Sequence, residues 1–184
     1  MLIVAVTGMP GAGKSTAAKA LAGKGWKRVV MGDVIRKETV KAGLEPNAKN
    51  TGDVMSRLRK ERGDSAVADL CLEEIRKGGS DRVVVDGIRS LAEVDRFRVE
   101  AHVLLVAIHA SPERRFALLK ERGRSDDPLS REMFVARDDR ELAVGIGNAV
   151  ALADEVIANE HATPGRLATQ IVEVVERWVK SVEH

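Results

Sequence analysis

The stretch V-A-V-T-G-M-P-G-A-G-K-S-T-A-A-K-A-L-A-G, residues 4–23, constrains this chain more than any other. An apolar run enters a glycine turn and leaves it through Lys14, Ser15 and Thr16 into a segment of small residues. Residues 8–15 fit the spacing G-x-x-x-x-G-K-[ST]. Glycines at those places let the backbone curl until successive N–H groups face inward and bind phosphate oxygens. The helix that follows points its positive end into the same cavity. Gly8, Met9, Pro10, Gly11, Ala12, Gly13, Lys14, Ser15 and Thr16 are therefore the candidate nucleotide-binding residues. Lys14 suits the β- and γ-phosphates, and the Ser15 hydroxyl suits Mg²⁺. The turn is expected to hold a nucleoside triphosphate, and it leaves open where the phosphate goes.

The rest of the chain alternates. Residues 2–6, 28–31, 82–87, 103–110 and 155–159 are short apolar runs of the kind found in buried parallel strands. Helical patterns lie between them: 14–23, 33–42, 51–63, 65–79, 111–123, and a tail from Thr163 to about Val182. Ser65 and Ser111 are placed to open helices, Pro112 sits at a first helical position, and Gly123 ends one. Such alternation needs crossover connections, so the expected class is α/β, a parallel sheet with helices on both faces. Ligands in such sheets bind beyond the carboxyl ends of the strands. Thr7-Gly8, Gly32-Asp33, Asp86-Gly87, His109-Ala110 and Asn159-Glu160 all fall there.

Composition narrows the function classes. A chain of 184 residues suits one domain with a substantial core. Thirty Lys and Arg against 28 Asp and Glu leave a net charge of +2. That balance, with 3% aromatics, argues against nucleic acid as a partner. Cys71 stands alone, which excludes an internal disulfide and a cysteine metal cage and fits a reducing cytoplasm. Residues 1–7 lack a basic flank and read as a strand rather than a targeting signal. No apolar run reaches membrane-spanning length.

The glycine turn, V-V-M-G-D-V-I-R-K-E-T-V-K-A-G (29–43) and V-V-V-D-G-I-R (83–89) together resemble the adenylate kinase and nucleoside monophosphate kinase group. Within it, the pattern through R-G-R-S-D-D, R-D-D-R-E-L and A-D-E-V-I-A-N-E is most similar to the archaeal adenylate-kinase-related proteins, often grouped with dephospho-CoA kinases. The resemblance implies a three-layer P-loop kinase fold, a five-stranded parallel sheet of order 2-3-1-4-5, and a small helical lid. It implies ATP and Mg²⁺ as cofactors and a small-molecule nucleotide as acceptor. The whole chain, 1–184, would be one kinase domain, with an acceptor-binding helical insert at about 33–78 and a lid at about 114–141. Asp33 and Arg36 match the acceptor segment, where a guanidinium fork suits a phosphate dianion. Asp86 would orient Mg²⁺ through water, and Arg89 would face the acceptor phosphate. The D-G-I-R motif is one residue shorter than the D-G-F-P-R of adenylate kinases.

The lid candidate carries seven arginines, at 114, 115, 122, 124, 131, 137 and 140. Arginine so dense can follow charge as it builds on a transferring phosphoryl group. Arg122, Arg124 and Arg137 are the candidates for that role. A charged, solvated helix is the competing reading of any one of them. Residues 123–128 are turn-like and suit a hinge. Cys71, Trp26 and Trp178 are expected to be packing residues, and the four histidines are given no role.

A phosphate acceptor needs cations and no general base. A hydroxyl acceptor needs a base, for which Asp33 is the candidate. The likeness of Asp33 and Arg36 to the adenylate kinase segment implies a nucleoside monophosphate acceptor, while A-D-E-V-I-A-N-E leans toward dephospho-CoA kinases. Two alternatives stay open: a dephospho-CoA kinase acting on a ribose hydroxyl, and a switch that hydrolyses nucleoside triphosphate with no second substrate.

Overall fold

The computed structural model describes residues 1–123 and 127–183, apart from the side chain at position 48. In chain order the elements are β1 (Leu2–Thr7), α1 (Lys14–Ala22), β2 (Lys27–Val30), α2 (Met31–Lys41), α3 (Ala48–Arg62), α4 (Ala66–Gly78), β3 (Arg82–Ile88) and α5 (Leu91–Arg98). They continue as β4 (His102–His109), α6 (Pro112–Arg122), α7 (Arg131–Val144), α8 (Ile146–Ala151), β5 (Glu155–Ala158) and α9 (Pro164–Val182).

The five strands form one parallel sheet of order β2-β3-β1-β4-β5. β1 lies at its centre, and Ile3, Val4, Ala5 and Val6 have no exposed surface. That is why the run reads as continuously apolar: both faces are covered. Alternate side chains feed two cores. Ile3, Ala5, Val83, Val85 and Leu105 pack with α2, α3, α4 and α5 on one face. Val4, Val6, Val84, Leu104 and Val106 pack with α1 and α9 on the other. α9 buries Leu167, Ile171, Val174 and Val175, one stripe at helical spacing. No described helix is long and apolar enough to cross a membrane.

The sheet also sets the register of the site. β1 pairs with β3 up to Val6 and Asp86, then slips one residue so that Thr7 faces Ile88. The Thr7 hydroxyl donates to the Ile88 carbonyl at 3.0 Å across the slip. Asp86, opposite Val6 and two residues before the end of β3, thus lies beside the start of the glycine turn.

Several boundaries differ from the sequence reading. Met31, expected to end a strand, opens α2. Ser65 stands before α4, but its hydroxyl makes no cap hydrogen bond. α5 and α8 were not anticipated. α5 had a signal: Ser90 accepts from the Glu93 N–H at 3.4 Å while Glu93 accepts from the Ser90 N–H at 3.2 Å, a reciprocal cap.

Candidate active site

The turn from Gly8 to Ser15 joins β1 to α1 and is held from three sides. Gly8 has φ +140°, and a Cβ there would stand 2.2 Å from the Ile108 carbonyl oxygen. Gly13 has φ +108°, and its Cβ would stand 2.6 Å from the Asn159 amide nitrogen. Only glycine fits at either place. Asn159, buried after β5, donates to the Ala12 carbonyl at 2.9 Å. Arg115, buried on α6, donates to the Pro10 carbonyl at 3.1 Å. These contacts take up carbonyls of the turn, and the Ala12 N–H donates to the Met9 carbonyl at 3.1 Å, so the curled backbone is held in shape around the space a phosphate would take.

Beside the turn lies a cleft of about 710 Å³. Gly11, Gly13, Lys14, Ser15 and Thr16 form one wall; Arg114, Leu118 and Arg122 of α6 form another; the loop from His161 to Pro164 closes the third. The volume suits a nucleotide. Glu160 braces that third wall, accepting from the Ser111 N–H at 2.8 Å and its hydroxyl at 2.6 Å. Those bonds hold its carboxyl below the usual range.

Lys14 donates to the carbonyls of Gly8 at 2.6 Å and Met9 at 3.1 Å. Although its stem lines the cleft, its ammonium is enclosed, and burial lowers its pKa from 10.5 to about 8. Asp86 and Glu141 oppose that shift, while Arg89 and Arg137 add to it. Two carboxylates and two guanidiniums, from β3, the segment after it and α7, therefore converge on the P-loop lysine.

Asp86 is 3% exposed, and Arg28 of β2 donates to it at 2.5 Å. A carboxylate fixed in this way, with the Ser15 hydroxyl across the turn, fits Mg²⁺. That ion keeps several waters and takes few protein ligands.

In the segment that resembles the kinases' acceptor motif, Arg36 is paired with Asp33 across one turn of α2, and both side chains are about half exposed. Arg89 has its Nε 3.0 Å from Glu141 Oε2 and its Nη1 3.1 Å from the Met55 sulfur. Glu93, 1% exposed, accepts the Arg89 N–H at 2.8 Å and the Arg59 guanidinium at 2.8 Å. This buried carboxylate fixes where Arg89 leaves the backbone.

The arginines of residues 114–141 have different partners. Arg122 makes a two-toothed pair with Asp127, which is 5% exposed, and Arg137 lies 3.5 Å from the same carboxylate. Asp127 thus joins α6 to α7. Arg115 does not face the cleft; it is bidentate to Asp138 at 2.9 and 2.6 Å and lies 4.9 Å from the centre of the Phe134 ring. Arg131 pairs with Glu113 at the surface, and Arg140 is exposed. Arg124 lies outside the described residues. The structure therefore brings Lys14, Asp86, Arg89 and Arg137 together and sets Arg122 on the cleft wall. It keeps Asp33 and Arg36 paired with each other. Sequence reasoning missed Arg28 and Glu141; it placed Arg115 among the lid arginines and Asn159 at a strand's carboxyl end, without their bonds to the turn. Cys71 is a core residue as expected, and burial pushes its thiol far up from 9.0.

Comparisons with known proteins agree with this geometry. A family profile described as an AAA domain matches residues 7–132. The UPF0200 protein of Methanocaldococcus jannaschii is 49% identical over 162 residues, 87% of this chain and 82% of that one. The chain belongs to the UPF0200 family. Among solved structures, TT1252 from Thermus thermophilus superimposes with TM-score 0.67 at 18% identity, covering 96% of each chain. Shikimate kinase from Aquifex aeolicus superimposes with TM-score 0.54 at 12% identity, covering 95% of this chain and 96% of that one. The three-layer P-loop kinase fold and its 2-3-1-4-5 sheet are as the sequence resemblance implied.

Proposed function

We propose that this protein transfers the γ-phosphoryl group of Mg-ATP to the phosphate of a nucleoside monophosphate. The observation that carries the proposal is the set of charges converging on Lys14. Donor and acceptor phosphates together bring several negative charges into one small space. Lys14 from the turn, Arg89 from the acceptor side and Arg137 from the lid supply cations from three directions.

Bound Mg²⁺ would neutralise charge on the β- and γ-oxygens, with Ser15 and, through water, Asp86 as its protein anchors. The chain's own residues do the rest. The turn's N–H groups fix the donor phosphates. Arg28 keeps the Asp86 carboxylate pointed along the sheet edge. Arg89, positioned by Glu93, takes the acceptor phosphate, and the helical insert of α2 to α4 would hold the rest of the acceptor. Arg122 and Arg137, tied through Asp127, bring the lid's charge over the transferring group. No covalent intermediate is needed.

Dephospho-CoA kinase chemistry needs a base near the reacting hydroxyl. Asp33 is paired with Arg36, so a carboxylate free to take the hydroxyl proton is not at hand, while Arg36 can turn from Asp33 to a phosphate dianion, which supports the phosphate acceptor. Kinetics of two variants test the reading. Arg36→Ala should weaken acceptor binding or turnover by about ten- to a hundredfold, from roughly 1.5–3 kcal/mol of charge-assisted contact. Asp33→Asn should cost less. If Asp33→Asn does the greater damage, chiefly to kcat, the hydroxyl acceptor replaces the phosphate one.

A further inference from the structure

Glu141 has no role in the transfer just described, yet it occupies that site. It projects from α7, with 17% of its side chain exposed, and its Oε2 lies 3.0 Å from Arg89 Nε. The contact is a charge contact only. Oε2 is buried and accepts no hydrogen bond from the described residues. A buried carboxylate oxygen without a donor is costly, and such an oxygen in a folded protein calls for a reason. Glu141 is also one of the two carboxylates acting on Lys14. It therefore sits between the cation of the donor side and the cation of the acceptor side.

We propose that Glu141 determines acceptor specificity by standing in for the acceptor's phosphate on Arg89. In the free enzyme the carboxylate occupies the guanidinium with poor geometry. A phosphate dianion brings more charge and can accept both prongs of the guanidinium fork, so it displaces the carboxylate. A neutral hydroxyl cannot. The site thus admits acceptors that carry a dianionic phosphoryl group and holds Arg89 closed to those that do not. This rests on the nucleoside monophosphate reading above and adds the residue that enforces it.

The test is binding of inorganic phosphate and, separately, AMP to the full chain, with a non-hydrolysable Mg-ATP analogue saturating the donor cleft. Under that condition the γ-phosphate place is filled and the P-loop is not the site measured. Glu141→Gln should tighten phosphate binding at least fivefold, and the gain should vanish in an Arg89→Met background. A merely structural role for Glu141 would weaken binding instead. No gain, or a gain that survives Arg89→Met, overturns the proposal. If Glu141→Gln fails to bind the Mg-ATP analogue, Glu141→Asp is the second probe. Its carboxylate is one methylene short of Arg89, so a gain of twofold or more is expected and no gain overturns the proposal. A gain for phosphate without one for AMP keeps Glu141's role and overturns the nucleotide acceptor instead.

Discussion

Replacing Arg115 with methionine should destabilise the protein and loosen the nucleotide-binding turn together. Arg115 is 3% exposed, bidentate to Asp138 and bonded to the Pro10 carbonyl. Breaking a buried ion pair by removing one partner costs about 3–5 kcal/mol, because the other charge is left uncompensated. The Asp138 side chain keeps 15% of its surface, so water offsets part of that cost. Methionine retains most of the contact with Phe134. A loss of about 3 kcal/mol follows, which for a chain of this size lowers Tm by roughly 6–12 °C. Differential scanning calorimetry reads it directly. Asp138→Leu in the Arg115→Met background should restore part of the loss, since the unpaired charge is gone, giving a coupling of about 2 kcal/mol. Mg-ADP affinity should also fall, because Pro10 loses its anchor. A Tm change under 2 °C, or strictly additive single variants, would refute the idea that Arg115 ties the lid helix to the turn.

Lys14→Ala should abolish phosphoryl transfer while leaving the far-ultraviolet circular dichroism and cooperative melting of the parent. The same lysine has a pH signature. Its folded pKa of about 8 lies below the unfolded 10.5, so between those values the unfolded chain holds more protons. Stability relative to Lys14→Met should therefore rise with pH from 8 to 10.5, and chemical denaturation across that range checks the sign. Hydrogen exchange across α7 should slow when an analogue joining both substrates binds; unchanged protection with the analogue bound would make α7 a surface helix with no closing role.

The centre of the sheet was readable in the sequence because β1, β3 and β4 are buried on both faces and so contain unbroken apolar runs; the edge strands β2 and β5 bury one residue each. The P-loop was readable because its glycines are required by the backbone itself, as the tight approach of Ile108 to Gly8 shows. Side-chain partners were not readable. Seven arginines in one segment look alike in sequence, yet Arg115 turns inward to Asp138 while Arg131 stays on the surface. Which face each presents depends on where α7 lies against α6, a tertiary fact. Glu141 was hidden for the same reason: it is 52 residues from Arg89 in the chain, and only the return of α7 over the sheet edge brings them together. Short elements were lost as well. The six residues of α8 hold too few turns for a period to show.

Transfer of label from γ-labelled Mg-ATP tests the central claim most directly, with nucleoside monophosphates, dephospho-CoA and no acceptor assayed side by side. The account predicts label in a nucleoside diphosphate, absent in Lys14→Ala. Label on dephospho-CoA, or release of inorganic phosphate alone whatever acceptor is offered, would contradict it.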